Sequence, residues 1–359
     1  YRGVYRDSAG AKRSVPGTFA RKEAATRQAG KMEADEREMP TPHGSSSLTW
    51  GEWEPQWQTS RSVADSTKRS DEGRLRDHVR PRWRKTPLRD ISADSVQRWV
   101  TDLTNGGMAA STVAKCYYLL SASLKAAHNA RVIPANPCRG VSLPKPGPMP
   151  DRYLDDREVA AIRKSLPTFD KLVFDVLLGT GVRLGEAMAL HWEDVNLERQ
   201  EVAIEWGYDP VAQVMKPPKD HQRRTIPIGP GLSKVLAGQL ASAGYGRRAP
   251  DPVKYPRNAS VHTGLVLAHT NGRPFDPDNL RKDFNASVQI AYVGKGKQRH
   301  WIGHARLHDL RHTYASRLLD KSIPIEEVAR LLGHANLSTT QRYAHRGKKQ
   351  WDKVRAALG

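Results

Sequence analysis

The stretch HDLRHTYASR, residues 308–317, places Leu310 and Tyr314, with Leu318 just beyond, along one side of a helix, the spacing that a packed helix needs. The same spacing sets His308 and Arg311 three positions apart, on neighbouring places of one face. Packing alone gives no reason to put an imidazole and a guanidinium there. A phosphate-handling site does, because a guanidinium fork matches two non-bridging oxygens and an imidazole exchanges protons near neutral pH.

Four further features lie on either side of this helix in sequence. Upstream, Arg183 in GTGVRLGEAMALHWEDV follows two glycines, Gly179 and Gly181, that break one helix, and it opens the first turn of the next. A helix N-terminus favours anions; the ordinary alternative is an ion pair with Glu186. A proline-stiffened basic hairpin, VMKPPKDHQRRT, carries Lys216, Lys219, Arg223 and Arg224, and such a turn is often simply solvated. Downstream, LLGHANLSTTQRYAH ends one helix at Gly333, which is followed at once by His334, and a short helix capped by Ser338 carries Tyr343. Taken singly, Tyr343 reads as a core or boundary aromatic. His300, His304, His308 and His312 recur every four residues, a spacing that can bind zinc on a continuous helix. Gly303 interrupts that run, and no carboxylate stands where a HExxH base would.

Together, two arginines, a lysine, two histidines and a tyrosine supply what metal-free substitution at a phosphodiester requires. Forked arginines hold the phosphate. A histidine accepts the phenolic proton, since a tyrosine of pKa about 10 is mostly protonated at neutral pH. A lysine protonates the departing sugar oxygen, and preorganised positive groups stabilise charge as it develops.

The bulk composition agrees. Lys and Arg number 58 against 38 Asp and Glu, a formal net charge of +20 over 359 residues, which points to a polyanionic partner. The two cysteines, Cys116 and Cys138, provide neither a disulfide framework nor a cysteine zinc site. No apolar run reaches the roughly 18 residues that span a bilayer, so a cytoplasmic location without membrane attachment is expected. The chain begins at Tyr1 inside a strand-like run, and further residues are expected before it.

Linker composition divides the chain. Residues 1–38 hold two short basic strand-like runs about the turn signal Asp7-Ser8-Ala9-Gly10, then a helical stretch, a small βα module. MPTPHGSSS, residues 39–47, is a linker. Residues 48–143 read as four or five helices, with N-caps at Ser92 and Ser111 and with Trp50, Trp53, Trp57, Leu119, Leu120 and Leu124 as core. Residues 144–152 lie in the proline-rich LPKPGPMP region, a second linker. Residues 153–359 open with a helix capped near Asp155, continue through helix to the short antiparallel strands EVAIEW, QVMKPPK and RRTIPI, and return to helix. The fold class is therefore mainly α with small antiparallel β-sheets, an α+β protein.

The order Arg183, Lys219, HDLRH with His308 and Arg311, LGH with His334, and Tyr343 in TTQRYAH resembles the tyrosine recombinase family, the phage-type integrases most closely. The likeness covers the region from about Tyr153 to the end and is specific, because six residues of the right types recur in order. Upstream, residues 48–143 look like that family's helical core-binding domain and residues 1–38 like a partial arm-binding module. The resemblance implies that Tyr343 attacks a scissile phosphate to give a 3′-phosphotyrosine and a free 5′-hydroxyl. Arg183 and Arg311 would hold the phosphate and Lys219, in preference to Lys216, would be the general acid. His308 would accept the proton and His334 would donate a hydrogen bond, while Glu186 would prop Arg183. It further implies double-stranded DNA with core and arm sites as partner, a homotetramer on that DNA, accessory bending or directionality proteins, and no cofactor or metal. The tail AHRGKKQWDKVRAALG would form a short helix with Trp351, Val354 and Leu358 on its apolar side, docked on a neighbouring protomer or on its own domain. The expected function is integration and excision of a mobile element such as a phage. The alternatives are a DNA-binding protein that only organises DNA, and a zinc-dependent phosphodiesterase built on the histidine run.

Overall fold

A computed structural model describes residues 1–6, 12–38, 48–147, 152–218, 223–245, 264–269, 272–334, 336 and 340–341. The chain divides into two compact units, Tyr1–Met149 and Pro150–Gly359, with the division inside the proline-rich linker. In the first unit, β1 (Val4–Arg6) and β2 (Lys12–Ser14) pair antiparallel and are followed by α1 (Lys22–Glu38), the βα module expected from the sequence. The turn between the strands and the 39–47 linker lie outside the described residues.

The helical body that follows consists of α2 (Trp50–Ser60), α3 (Asp65–Arg74), α4 (Arg80–Trp83), α5 (Ala93–Asn105) and α6 (Ala110–Asn129). A π turn, Leu75–Val79, joins α3 to α4. Trp50, Trp53, Trp57, Leu119, Leu120 and Leu124 are all buried in one core with Trp83 and Trp99. Amphipathic tryptophans need their ring N–H satisfied when buried. The Trp50 and Trp53 Nε1 groups donate to the Ser123 hydroxyl at 2.8 Å and the Ser123 carbonyl at 2.9 Å. Ser92 caps α5, and its hydroxyl accepts the Ser95 N–H at 3.2 Å. Ser111 is not a cap: the N-cap of α6 is Ala109, and Ser111 falls within the first turn. Cys116 and Cys138 are buried and free.

The second unit begins with α7 (Asp156–Ser165), capped by Asp155 as expected, and α8 (Thr168–Thr180), which ends on the left-handed Gly181. Gly179 does not break the helix. It lies inside α8, where a Cβ would meet Leu232 Cδ2 at 2.7 Å, so close packing explains it. After α9 (Leu184–Met188) come β3 (Val195–Asn196), β4 (Glu201–Ile204), β5 (Gly207–Asp209), β6 (Val214–Lys216) and β7 (Arg224–Pro227). They form two sheets, a three-stranded one in the order β3-β4-β7 and the pair β5-β6. The basic stretch from Val214 to Thr225 is therefore not one paired hairpin, since β6 pairs with β5 and β7 with β4.

The remaining elements are α10 (Pro230–Ala243), α11 (Pro277–Gln289), β8 (Tyr292–Val293), β9 (His300–Trp301), α12 (Leu307–Asp320) and α13 (Ile325–Leu332). Leu310, Tyr314 and Ala315 of α12 enter the main core together with Phe174, Ile226, Phe284 and Leu332. This helix is not amphipathic in the way its spacing suggested. Every residue from Asp309 through Ser316 is buried, Arg311 and His312 included. Among the described residues no helix is long and apolar enough to cross a membrane.

Candidate active site

A buried arginine must have its N–H groups satisfied, or its desolvation is not offset. The second unit meets that demand with helix ends. The last carbonyls of a helix have no partner within it and carry the negative end of its dipole. At the end of α13, Gly333 turns the chain with φ +64°, and the backbone N–H groups of Gly333 and His334 close onto Arg330 and Ala329. Three successive carbonyls, those of Leu331, Leu332 and Gly333, each receive one arginine. Arg224 Nε donates to Leu331 O at 2.7 Å, Arg311 Nη2 to Leu332 O at 2.7 Å, and Arg183 Nη2 to Gly333 O at 3.0 Å. Arg311 also donates through Nη1 to the Gly181 carbonyl at the end of α8, at 2.7 Å.

Glu186 ties the same group together. It accepts from Arg183 Nη1 at 3.0 Å and from Arg224 Nη1 and Nη2 at 3.2 and 2.6 Å, and it also accepts the Arg183 backbone N–H at 2.9 Å. Burial pushes its carboxyl upward, but the hydrogen bonds and charge of Arg224, with help from Arg183, outweigh burial and leave it below the ordinary value. Glu186 therefore stays ionised and does prop Arg183, with the side chains of Glu186 and Arg224 both 3% exposed. Arg183 is the N-cap of α9 rather than a residue of its first turn.

Arg224 is the member that sequence reading grouped with a solvated hairpin. The available signal was strand alternation: Arg224 and Ile226 share the buried face of β7, and Thr225 and Pro227 point out. Lys216, the competitor of Lys219, is engaged elsewhere, with its Nζ 2.7 Å from Asp209 Oδ2. Lys219 and Tyr343 lie outside the described residues.

His334 follows Gly333 directly, and its Nδ1 is 2.7 Å from the hydroxyl of the buried Thr340. Burial lowers its pKa, and the positive charges of Arg311, Arg183 and Arg224 lower it further, to about 4. The imidazole is neutral at pH 7 and stands in the field of three arginines, so the local potential is positive. His308 is exposed, its ring edge-on to His312 at 4.7 Å between centroids. Its side chain and that of Arg311 line a cavity of about 210 Å³, walled by Leu177, Val182, Leu184 and Leu307 and flanked by Arg281.

The histidine run does not form a column. His300 is in β9, His304 follows the left-handed Gly303 in a loop, and only His308 and His312 share α12. Among the described residues no three His, Cys, Asp or Glu side chains gather as a metal site.

The fold is that of one class, the tyrosine recombinase integrases. The structure resembles the Tn1549 transposon integrase bound to a circular intermediate DNA, with TM-score 0.65 and 19% identity over 87% of this chain and 99% of that one. It also resembles lambda integrase in a tetramer bound to a Holliday junction, with TM-score 0.65 and 18% identity over 95% and 91%. The phage integrase family model matches residues 153–350, more than half of the sequence, and the chain belongs to that family. Among curated relatives it is 26% identical over 286 residues to a XerC-like tyrosine recombinase of Caldanaerobacter subterraneus subsp. tengcongensis, covering 72% of this chain and 68% of the relative. It is 28% identical over 260 residues to tyrosine recombinase XerC of Yersinia pestis, covering 71% and 75%.

Proposed function

We propose that this protein is a site-specific DNA recombinase that breaks and rejoins DNA strands through a 3′-phosphotyrosine on Tyr343, integrating and excising a mobile element. The observation that carries the reading is the convergence of Arg183 and Arg311 on adjacent carbonyls of one helix end, beside a neutral His334 in a positive field. A phosphate entering there meets permanent cations already held in place, so little reorganisation is needed as charge develops.

In the proposed step the phenolic oxygen of Tyr343 attacks phosphorus and its proton passes to His308. The bond from phosphorus to the 5′-oxygen breaks, and Lys219 protonates that oxygen. Arg183 and Arg311 hold the non-bridging oxygens, and His334, with the Thr340 hydroxyl donating to Nδ1, offers Nε2–H as a further donor. The ester keeps the bond energy, so a 5′-hydroxyl from a partner duplex reverses the step without ATP. Four protomers exchange two strand pairs in turn, a proposal supported by the lambda integrase tetramer on a Holliday junction. Residues 48–143 act as a core-binding domain and residues 1–38 as an arm-type module, and the likeness to a transposon integrase and to lambda integrase supports the mobile-element role.

The test is covalent trapping on a nicked suicide duplex. Wild type gives a protein–DNA adduct in excess chelator. Tyr343→Phe binds the same DNA and gives none, whereas Tyr314→Phe still gives it, because burial pushes the Tyr314 hydroxyl up to about 12 despite Arg224 and Arg311. Arg311→Lys loses at least ten-fold in adduct rate, since a point cation cannot fork two oxygens. An adduct from Tyr343→Phe, or none from wild type, overturns the assignment; the latter leaves a DNA-organising protein.

A further inference from the structure

Between Asp283 and Asp309 the chain contains no acidic residue but has Lys295, Lys297, Arg299 and Arg306 with His300, His304 and His308. The first three cations and His300 sit on the hairpin formed by β8 and β9, whose register pairs Tyr292 with Trp301 and Val293 with His300. One face of this hairpin is fastened to the unit: Val293 packs on the core, Ala291 and Ile302 are buried, and Ile302 N–H donates to Ala291 O at 3.2 Å. The other face carries the cross-strand pair Tyr292 and Trp301, 46% and 38% exposed. Two neighbouring aromatics left partly in water make a contiguous apolar patch rimmed by polar residues, the kind of surface a partner covers.

The aromatic pair is held in shape and bracketed by cations. Trp301 Nε1 donates to Val288 O at 2.8 Å, which fixes the indole plane. The Arg299 guanidinium lies 4.7 Å over the Tyr292 ring, and His304 stands edge-on to Trp301 at 5.1 Å. Gly294 closes the turn with φ +84°, where a Cβ would collide with the Gln298 carbonyl. Lys295, Lys297 and Arg299 are exposed. A guanidinium stacked on a ring keeps its N–H edge outward, and with two lysines beside it the face suits successive phosphates, with the rings set against sugar or base surface.

We infer that the β8–β9 hairpin is a DNA-backbone clamp of the catalytic unit, gripping the same duplex whose phosphate enters the site at α12; this rests on the recombinase reading above. Charge complementarity selects the occupant, because a hairpin whose own residues include three exposed cations and no acid opposes a polyanion. Connectivity sets its range. From Trp301 to His308 the chain extends at most about 25 Å, so the clamp reaches phosphates within about seven base-pair steps of the reacting one, at 3.4 Å each.

The test compares wild type with Lys295→Ala/Lys297→Ala/Arg299→Ala and with Tyr292→Ala on a mixed-sequence duplex, by fluorescence anisotropy across a salt series. Each phosphate contact contributes about 0.9 to the log–log salt slope, so the triple variant has a slope shallower by about 2.7 and an affinity about ten- to a hundred-fold weaker. Tyr292→Ala, which unseats only Arg299, has a slope shallower by about 0.9. The adduct rate at saturating suicide substrate stays at the wild-type value in the triple variant, and DNA slows amide exchange of the 292–301 peptide in wild type. An unchanged slope together with no protection of that peptide overturns the clamp, as does loss of protein–protein assembly with unchanged duplex affinity. A wild type that forms no adduct but shows the slope change and protection removes the recombinase reading and leaves the clamp standing.

Discussion

Gly333 meets two demands that no other residue type satisfies. Its φ of +64° closes α13, and a Cβ on it would lie 2.8 Å from Arg224 Nη1. Gly333→Ala should therefore lose about 1–2 kcal/mol from the left-handed backbone alone, read as a lowered denaturation midpoint. It should also lose adduct formation, because Arg224 and Arg183 are displaced together; an alanine variant with unchanged midpoint and adduct rate contradicts the geometry. His334 adds a pH signature. Its folded pKa of about 4 lies below the ordinary 6.5, so the unfolded chain binds the extra proton, and the stability is present above pH 6.5 and lost as pH falls toward 4. His334→Gln should flatten the fall in denaturation midpoint between pH 7 and pH 5 relative to wild type. At this scale the sequence was informative about identity and silent about support. Arg183, Arg311 and His334 could be picked out by type and order, whereas the four backbone carbonyls that hold the arginines leave no trace in side-chain letters.

At the level of elements, periodicity reported helix faithfully but misjudged exposure. The α12 spacing of Leu310, Tyr314 and Leu318 promised a polar far side, yet Arg311 and His312 are buried, because neighbouring helix ends solvate the guanidinium in place of water. Short strands were legible as strands but not as partners: QVMKPPK and RRTIPI were adjacent in sequence, and β6 and β7 went to different sheets. Pairing depends on which edges the helices leave open, which local pattern does not encode. Between α8 and α11 lies a pair that no motif announced. Asp170 is buried, and among the described residues its Oδ2 finds no hydrogen-bond partner. Burial, then the charge and hydrogen bond of Asp283, raise its pKa to about 6, partly opposed by His269. A raised carboxyl pKa favours the folded state below the ordinary 3.8, and that benefit disappears as pH rises through about 6. Asp170→Asn should therefore melt above wild type at pH 7.5, and the gap should close by pH 4; a variant less stable at pH 7.5 contradicts this.

For the whole molecule, the chain divides between Met149 and Pro150, and each unit keeps its own hydrophobic core. A net charge of +20 requires strong coupling to salt: log affinity for duplex DNA should fall linearly with log salt, by about 0.9 for each phosphate neutralised. Anisotropy titrations check this, and a flat profile would leave that charge without a role. Lys219 and Tyr343 remain assignments by resemblance, because they lie outside the described residues.

The three arginines that share the end of α13 reach it from very different distances along the chain, with separations of 150, 107 and 21 residues to their carbonyl partners. Contacts that close such long loops form late. A polypeptide that stops short of α13 has no anchor for these cations, so the three guanidiniums take their places only after residues 331–333 have been added.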